Sequence, residues 1–140
     1  MSVWNLKKGE TILRRELHDR YGGGRQGGIS PSRKSPNILI FSDQSEGEQH
    51  GYHDRWDGEC FLYVGQGQQG DQRMISGNRA ILQHIEDNRA IRLFWGCKGE
   101  VEYAGEFEID HLDPWHTERA PSRNGTTRDV IVFRLREVEK

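Results

Sequence analysis

Cysteine is scarce in this sequence. There are two, Cys60 and Cys97, with no Cys-x-x-Cys pair and no Cys/His rhythm of metal ligands, which removes a disulfide framework and a zinc-finger type of site. Both read as free, mostly buried thiols in a reducing compartment. Long apolar runs are missing too. None approaches the roughly 18–20 residues of a membrane span, and the N-terminal MSVWNLKKGE holds no signal-peptide core. A cytoplasmic protein without membrane contact is the expectation, and Asn124-Gly125-Thr126 is then a turn, not a glycan acceptor. Hydrophobic residues are 33% against 30% charged, a thin core under a busy surface, and residues 1–140 are expected to form one domain.

Net charge is also small, −2, which argues against indiscriminate binding to polyanions. The charge is segregated, however. Residues 1–36 hold eight Lys/Arg against three Asp/Glu, residues 37–72 one against seven, residues 73–99 five against two, and residues 100–140 six against ten. Such blocks can give a near-neutral molecule a positive face, although solvated faces without a partner produce them as well.

Leu6, Ile12, Leu13, Leu17 and Tyr21 recur at helical spacing, which predicts an amphipathic helix over residues 5–20 ended by Gly22-Gly23-Gly24. NILIFS at residues 37–42 reads as a buried strand. Residues 43–59 are a polar loop or irregular hairpin, and residues 61–64 a strand. A second helix is expected over residues 78–87, with Asn78 as N-cap and Ala80, Ile81 and Ile85 inward. Residues 90–95 are a strand. Over residues 100–110, Val101, Tyr103, Gly105, Phe107 and Ile109 alternate with Glu100, Glu102, Ala104, Glu106 and Glu108, a strand with one acidic face. Residues 111–127 read as irregular and 129–138 as the last strand. The fold class is therefore α+β: a curved antiparallel sheet or small β-barrel flanked by two or more helices.

Several motifs suggest chemistry and then weaken. Gly65-x-Gly67-x-x-Gly70 matches the dinucleotide fingerprint, but Gly70 precedes the helix signals and no repeated βαβ unit follows. No cofactor is expected. His50, His53 and Asp54, and Asp110, His111, Asp113 and His116, are clusters of metal-ligand types, yet neither has the pattern of a ββα nuclease finger, and no metal is expected. No nucleophile-elbow pattern supports a hydrolytic triad. Tyr21, Tyr52, Trp56 and Tyr63 sit beside loops, suited either to stacking on bases or to capping a small barrel.

The densest signal is HDRYGGGRQGGISPSRKSP, residues 18–36. Five glycines, two prolines and three serines stand there among basic side chains. Glycine allows close backbone approach to a ligand, and arginine, lysine and hydroxyls donate to oxyanions, so a phosphate-like partner is the first reading.

RRELHDRYGGGRQGGISPSRKSPNILIFS, GEQHGYHDRW, YVGQGQQGDQRMISGNRAI and a strand ending in GEF resemble the sulfur-binding domain of type IV restriction endonucleases that recognise phosphorothioate-modified DNA. The resemblance runs from about Arg14 to Phe107. It implies a non-enzymatic reader of phosphorothioated double-stranded DNA, with cleavage expected from a separate HNH nuclease domain in cis or trans. Sulfur is larger, softer and less hydrated than oxygen, so a shallow apolar pocket accepts it but penalises an ordinary phosphate oxygen. On this reading Pro31 and Tyr63 supply the apolar wall. Arg25, Gln26, Arg33 and the backbone of Gly27, Gly28, Ile29, Ser30 and Ser32 hold the phosphates. Arg14, His18 and Tyr21 are further candidate DNA-binding residues, while Gly65, Gly67, Asp71 and Arg79 close the pocket or touch the DNA backbone. Arg25, Gln26, Arg33 and Lys34 are the candidate base readers. Two alternatives stay open: a metal-dependent nuclease using the His50/His53 or His111/His116 cluster, and a protein-interaction module using the acidic 100–108 face.

Overall fold

The run NILIFS, with four consecutive apolar residues at its centre, becomes β3 (Asn37–Ser42), buried at every position, because the sheet it belongs to is covered on both faces. The computed structural model describes residues 4–25, 27–43, 54–67, 70–121 and 125–138. Among these, β1 (Thr11–Leu13), α1 (Arg14–Tyr21) and β2 (Ile29–Pro31) precede β3. After it come β4 (Arg55–Asp57), β5 (Cys60–Val64), α2 (Ser76–Leu82), β6 (Ala90–Trp95), β7 (Glu100–Ile109), β8 (Trp115–Pro121) and β9 (Thr127–Glu137). The sheet runs β2-β3-β6-β7-β9-β5-β4, with β1 added to β7 and β8 to β9. It is open, ending at β2 and β4, and does not close into a barrel.

The α+β class holds, with one departure from a purely antiparallel sheet. β3 and β6 pair in parallel, Asn37 opposite Ala90 through Ser42 opposite Trp95. Parallel neighbours need a crossover connection, here the segment carrying β4, β5 and α2. Along β3, Ile38 and Ile40 face one apolar cluster with Ile81 of α2, while Leu39 and Phe41 face a second with Leu17 and Tyr21 of α1. The alternation of β7 crosses between these layers. A bulge skips Ala104, so that Leu93 faces Gly105 and Phe94 faces Tyr103. Val101 and Tyr103 then join the α1 side and Phe107 and Ile109 the α2 side. Gly105 takes φ +129 there, backbone that a side chain would strain.

Both helices are shorter than their periodicity suggested. A turn between Lys7 and Glu10 breaks the first segment, and Thr11–Leu13 pairs with β7 as a strand. Ile12, Leu17 and Tyr21 are nevertheless buried together. Spacing reported which residues go inside, not the conformation that puts them there. The second helix begins two residues before Asn78 and ends at Leu82. Ile85 falls in the following turns and is 46% exposed, against the expectation that it faces the core. Asn78 is no N-cap. β8 occupies part of the stretch read as irregular.

Candidate nucleic-acid interface

α1 starts directly from β1 at Arg14, whose N–H is held by the Gly99 carbonyl at 2.7 Å. The Arg14 side chain is 6% exposed and runs beneath the glycine-rich stretch. Nη2 donates to the Gly27 carbonyl at 2.9 Å and lies 3.4 Å from both the Gly24 carbonyl and Ser30 Oγ; Nη1 donates to the Cys97 carbonyl at 2.7 Å. Nε donates to His18 Nε2 at 3.0 Å, which places the ring proton on Nδ1, donating to the Gly22 carbonyl at 2.8 Å. Phe41 stacks under the guanidinium at 3.8 Å. Burial lowers the pKa of both Arg14 and His18. Among the described residues no carboxylate pairs with Arg14, so its charge is solvated by neutral acceptors: three carbonyls, the Ser30 hydroxyl and the His18 ring.

Tyr63 completes the support. It is buried, and its hydroxyl lies 2.8 Å from the Gly28 carbonyl and 3.0 Å from that of Phe41. Burial pushes its pKa well above the usual value, so the phenol stays a neutral donor. The carbonyls of Gly22, Gly24, Gly27 and Gly28 are thus all turned inward. The N–H groups of Gly23, Gly24, Arg25 and Gly27 have no acceptor among the described residues. The outer face of this stretch is left poor in acceptors, above an uncompensated cation, which is favourable for an anion.

The serines also serve the backbone. Ser32 Oγ and Ser35 Oγ each donate to the Tyr21 carbonyl at 2.5 Å, and Ser30 Oγ donates to the Gly24 carbonyl at 2.8 Å. Ile29 is in the α2-side core, Tyr21 in the α1-side core beneath Trp4, and Pro31 is half-buried in β2. Exposed cations ring this base. Arg25 pairs with the Asp19 carboxylate, and Lys34 Nζ donates to the Asp19 carbonyl. Arg25 borders a cleft of about 500 Å³ with Leu13, Arg14, Arg15, Cys97, Lys98 and Gly99. Arg33 and Lys34 border a second, of about 310 Å³, with Ser32, Ser35, Asp87 and Arg89.

The other glycine loop is not in this cluster. Gln72 Nε2 donates to the Gly65 carbonyl at 2.8 Å, Asn78 exchanges two bonds with the Gln66 backbone, and the Asp71 carboxylate receives the Asp129 N–H at 2.8 Å. Gly65, Gly67 and Asp71 therefore strap this loop onto β9 and α2. Arg79 is exposed on α2, which packs close to Ile29 through Gly77, and lies in neither cleft. Gln26, Tyr52, His50 and His53 lie outside the described residues.

Comparison with known proteins shows the family to which the chain belongs. The family described as ScoMcrA-like, SRA domain matches residues 8–140. This chain belongs to that family. SRA domains are DNA-binding readers and not catalysts, and the likeness to phosphorothioate-dependent type IV enzymes is borne out, with the SRA domain as the matching part. The chain superposes on the sulfur-binding and SRA domains of ScoMcrA complexed with phosphorothioated DNA at a TM-score of 0.73 and 23% identity, covering 97% of this chain and 41% of that one. On the type IV phosphorothioation-dependent restriction endonuclease ScoMcrA the TM-score is 0.70 at 22% identity, covering 97% and 29%. The chain thus spans less than half of either ScoMcrA structure. On the SUVH5 SRA domain in complex with hemi-methylated CG DNA the TM-score is 0.66 at 24% identity, covering 99% and 92%. No curated protein matches the sequence.

Within this SRA domain, Asp110 has a role that its histidine-rich neighbourhood disguised. Its Oδ1 receives the N–H groups of Leu112 and Asp113 at 2.8 and 3.0 Å, and Oδ2 receives Arg136 Nε at 2.7 Å. It caps the loop between β7 and β8. Among the described residues no group of three His, Cys, Asp or Glu side chains could hold a metal ion, and no helix is long and apolar enough to cross a membrane. The Asp113 N–H, then Arg136 and the Leu112 N–H, hold the Asp110 carboxyl at about 2 against an ordinary 3.8. Its pKa is depressed by folding, so its contribution is complete above about pH 4 and is lost as pH falls toward 2. Asp110→Asn is expected to cost about 1–3 kcal/mol at neutral pH and to flatten that acid limb. Urea unfolding at a series of pH values checks this, and parallel limbs for the two proteins would assign the loss to another group.

Proposed function

We propose that this SRA domain reads a chemical mark on double-stranded DNA, gripping the backbone along residues 14–36. The observation that carries the reading is Arg14, a buried cation with no carboxylate partner among the described residues, beneath a loop whose carbonyls are turned away from solvent. Arg15, Arg25 and Lys98 in the first cleft and Arg33 and Lys34 in the second, with half-buried Arg89, supply the cations that phosphate contact requires.

The mark of our first reading is a phosphorothioate. The first cleft suits it: Leu13 and Cys97 give an apolar floor between Arg15, Arg25 and Lys98. Sulfur loses little hydration on such a floor while the cations hold the remaining oxygens. This replaces Pro31 and Tyr63 as the apolar wall, since Tyr63 is buried with its hydroxyl committed. In a complete system an HNH nuclease domain, in cis or trans, would do the cutting. A second reading is favoured by the family itself. The matched domain is the SRA domain, and the SUVH5 SRA structure holds methylated CG DNA, so the mark would be a modified cytosine.

One duplex in four forms separates these readings: unmodified, phosphorothioated, 5-methylcytosine and 5-hydroxymethylcytosine, compared by fluorescence anisotropy with magnesium present. At least tenfold tighter binding to the phosphorothioate, about 1.4 kcal/mol, is the expected result. The same preference for a cytosine mark moves the reading to the base. Equal binding to all four would overturn the reader, and cleavage in the same tubes would favour a nuclease.

A further inference from the structure

β8 is a seven-residue strand that, among the described residues, has one neighbour, β9. Its register pairs Trp115 with Phe133 through Pro121 with Thr127, and the Arg134 N–H donates to the Pro114 carbonyl at 3.0 Å. That bond fixes the parity of the ladder. Residues 116, 118 and 120 turn their backbone groups toward β9, and residues 115, 117 and 119 turn theirs away. Among the described residues, the outward N–H and C=O groups of Trp115, Thr117 and Arg119 carry no hydrogen bond.

We propose that β8 is a dimerisation edge and that its partner is β8 of a second copy of this chain. The sequence is self-complementary in one antiparallel register, centred on Thr117. Trp115 then faces Arg119 of the other copy, a cation–π pair in each direction. His116 faces Glu118, also in each direction, and Thr117 faces Thr117. Shifting the centre by one residue sets Glu118 against Glu118 or His116 against His116, so like groups oppose one another. In the favoured register, residues 115, 117 and 119 of each copy exchange all their outward backbone groups. Pro114 and Pro121 bound the pairing at both ends, and a two-fold contact of this kind uses up both edges, giving a closed dimer and not a fibre.

Thr117→Pro tests this with little risk to the fold, because the N–H it removes points away from β9. Sedimentation velocity from 5 to 500 µM is expected to show a concentration-dependent dimer for the unaltered chain and a monomer for Thr117→Pro, with unchanged far-UV circular dichroism. Trp115→Ala, which removes the ring facing Arg119 of the other copy and leaves the Arg119–Asp129 pair within the chain in place, is expected to weaken the dimer at least tenfold. A monomer throughout for the unaltered chain, or a dimer insensitive to both variants, would overturn the proposal. Loss of DNA binding leaves this prediction untouched, since the edge and the clefts share no residue.

Discussion

Arg14→Met is expected to cost about 3 kcal/mol or more of folding stability and to abolish DNA binding at protein concentrations where the unaltered chain is saturated. The side chain serves five acceptors at once: the carbonyls of Gly24, Gly27 and Cys97, Ser30 Oγ and His18 Nε2. A methionine of similar length fills the space over Phe41 but takes the donor from the Gly27 and Cys97 carbonyls and from His18 Nε2. An unmet buried acceptor costs more than its hydrogen bond contributed. The Cys97 carbonyl belongs to the β6–β7 turn, so the loss also separates that turn from the glycine-rich stretch and opens the first cleft.

Arg14→Lys sharpens the same test. It keeps the charge but presents a compact ammonium, which cannot reach acceptors on three sides as a planar fork does. Lysine is therefore expected to recover less than half of the lost stability. Urea unfolding gives the stability and anisotropy the binding. If Arg14→Met unfolds at the midpoint of the unaltered chain, the loop is held by something else. If Lys restores everything, charge and not geometry is what the loop needs.

Where burial pattern decides structure, the sequence was readable. NILIFS carries four consecutive apolar residues, Ile38 to Phe41, because both faces of β3 are covered, and the glycines after Tyr21 end α1 as expected. Gly22 is the clearest case: its φ is +85, and a Cβ there would sit 2.3 Å from Ser32 Oγ. Elements held by partners distant in sequence were not readable. WHTERAP shows no alternation of its own and becomes a strand only because β9 offers it an edge. The glycine-rich stretch was visible as a candidate site, but not its inner construction. Ser30, Ser32 and Ser35 have the chemistry to hold a phosphate, yet each bonds to backbone. Arg14 lies on the polar side of an amphipathic pattern, yet the β6–β7 turn and the loop close over it. Both clefts draw walls from that distant part of the chain, Cys97 and Lys98 in one and Arg89 in the other, and no local pattern announces them.

Removing Arg25, Arg33 and Lys34 together is expected to weaken DNA binding a hundredfold or more at low salt, with little change in stability. All three are exposed, and the Arg25–Asp19 pair is a surface contact whose loss costs on the order of 0–1 kcal/mol. If each meets one phosphate, the slope of log K against log salt should fall by about 0.9 per residue, near three in total. An unchanged slope would move the grip away from this edge. The ratio of marked to unmarked affinity separates holding from reading. Backbone contacts carry no information about a mark on a base, so on the cytosine reading the triple variant loses affinity for every duplex equally. On the phosphorothioate reading Arg25 borders the cleft that seats the sulfur, so Arg25→Ala alone should shrink the ratio while Arg33→Ala and Lys34→Ala preserve it. The single variants thus test where the mark is read, and the triple variant tests whether this edge holds DNA at all.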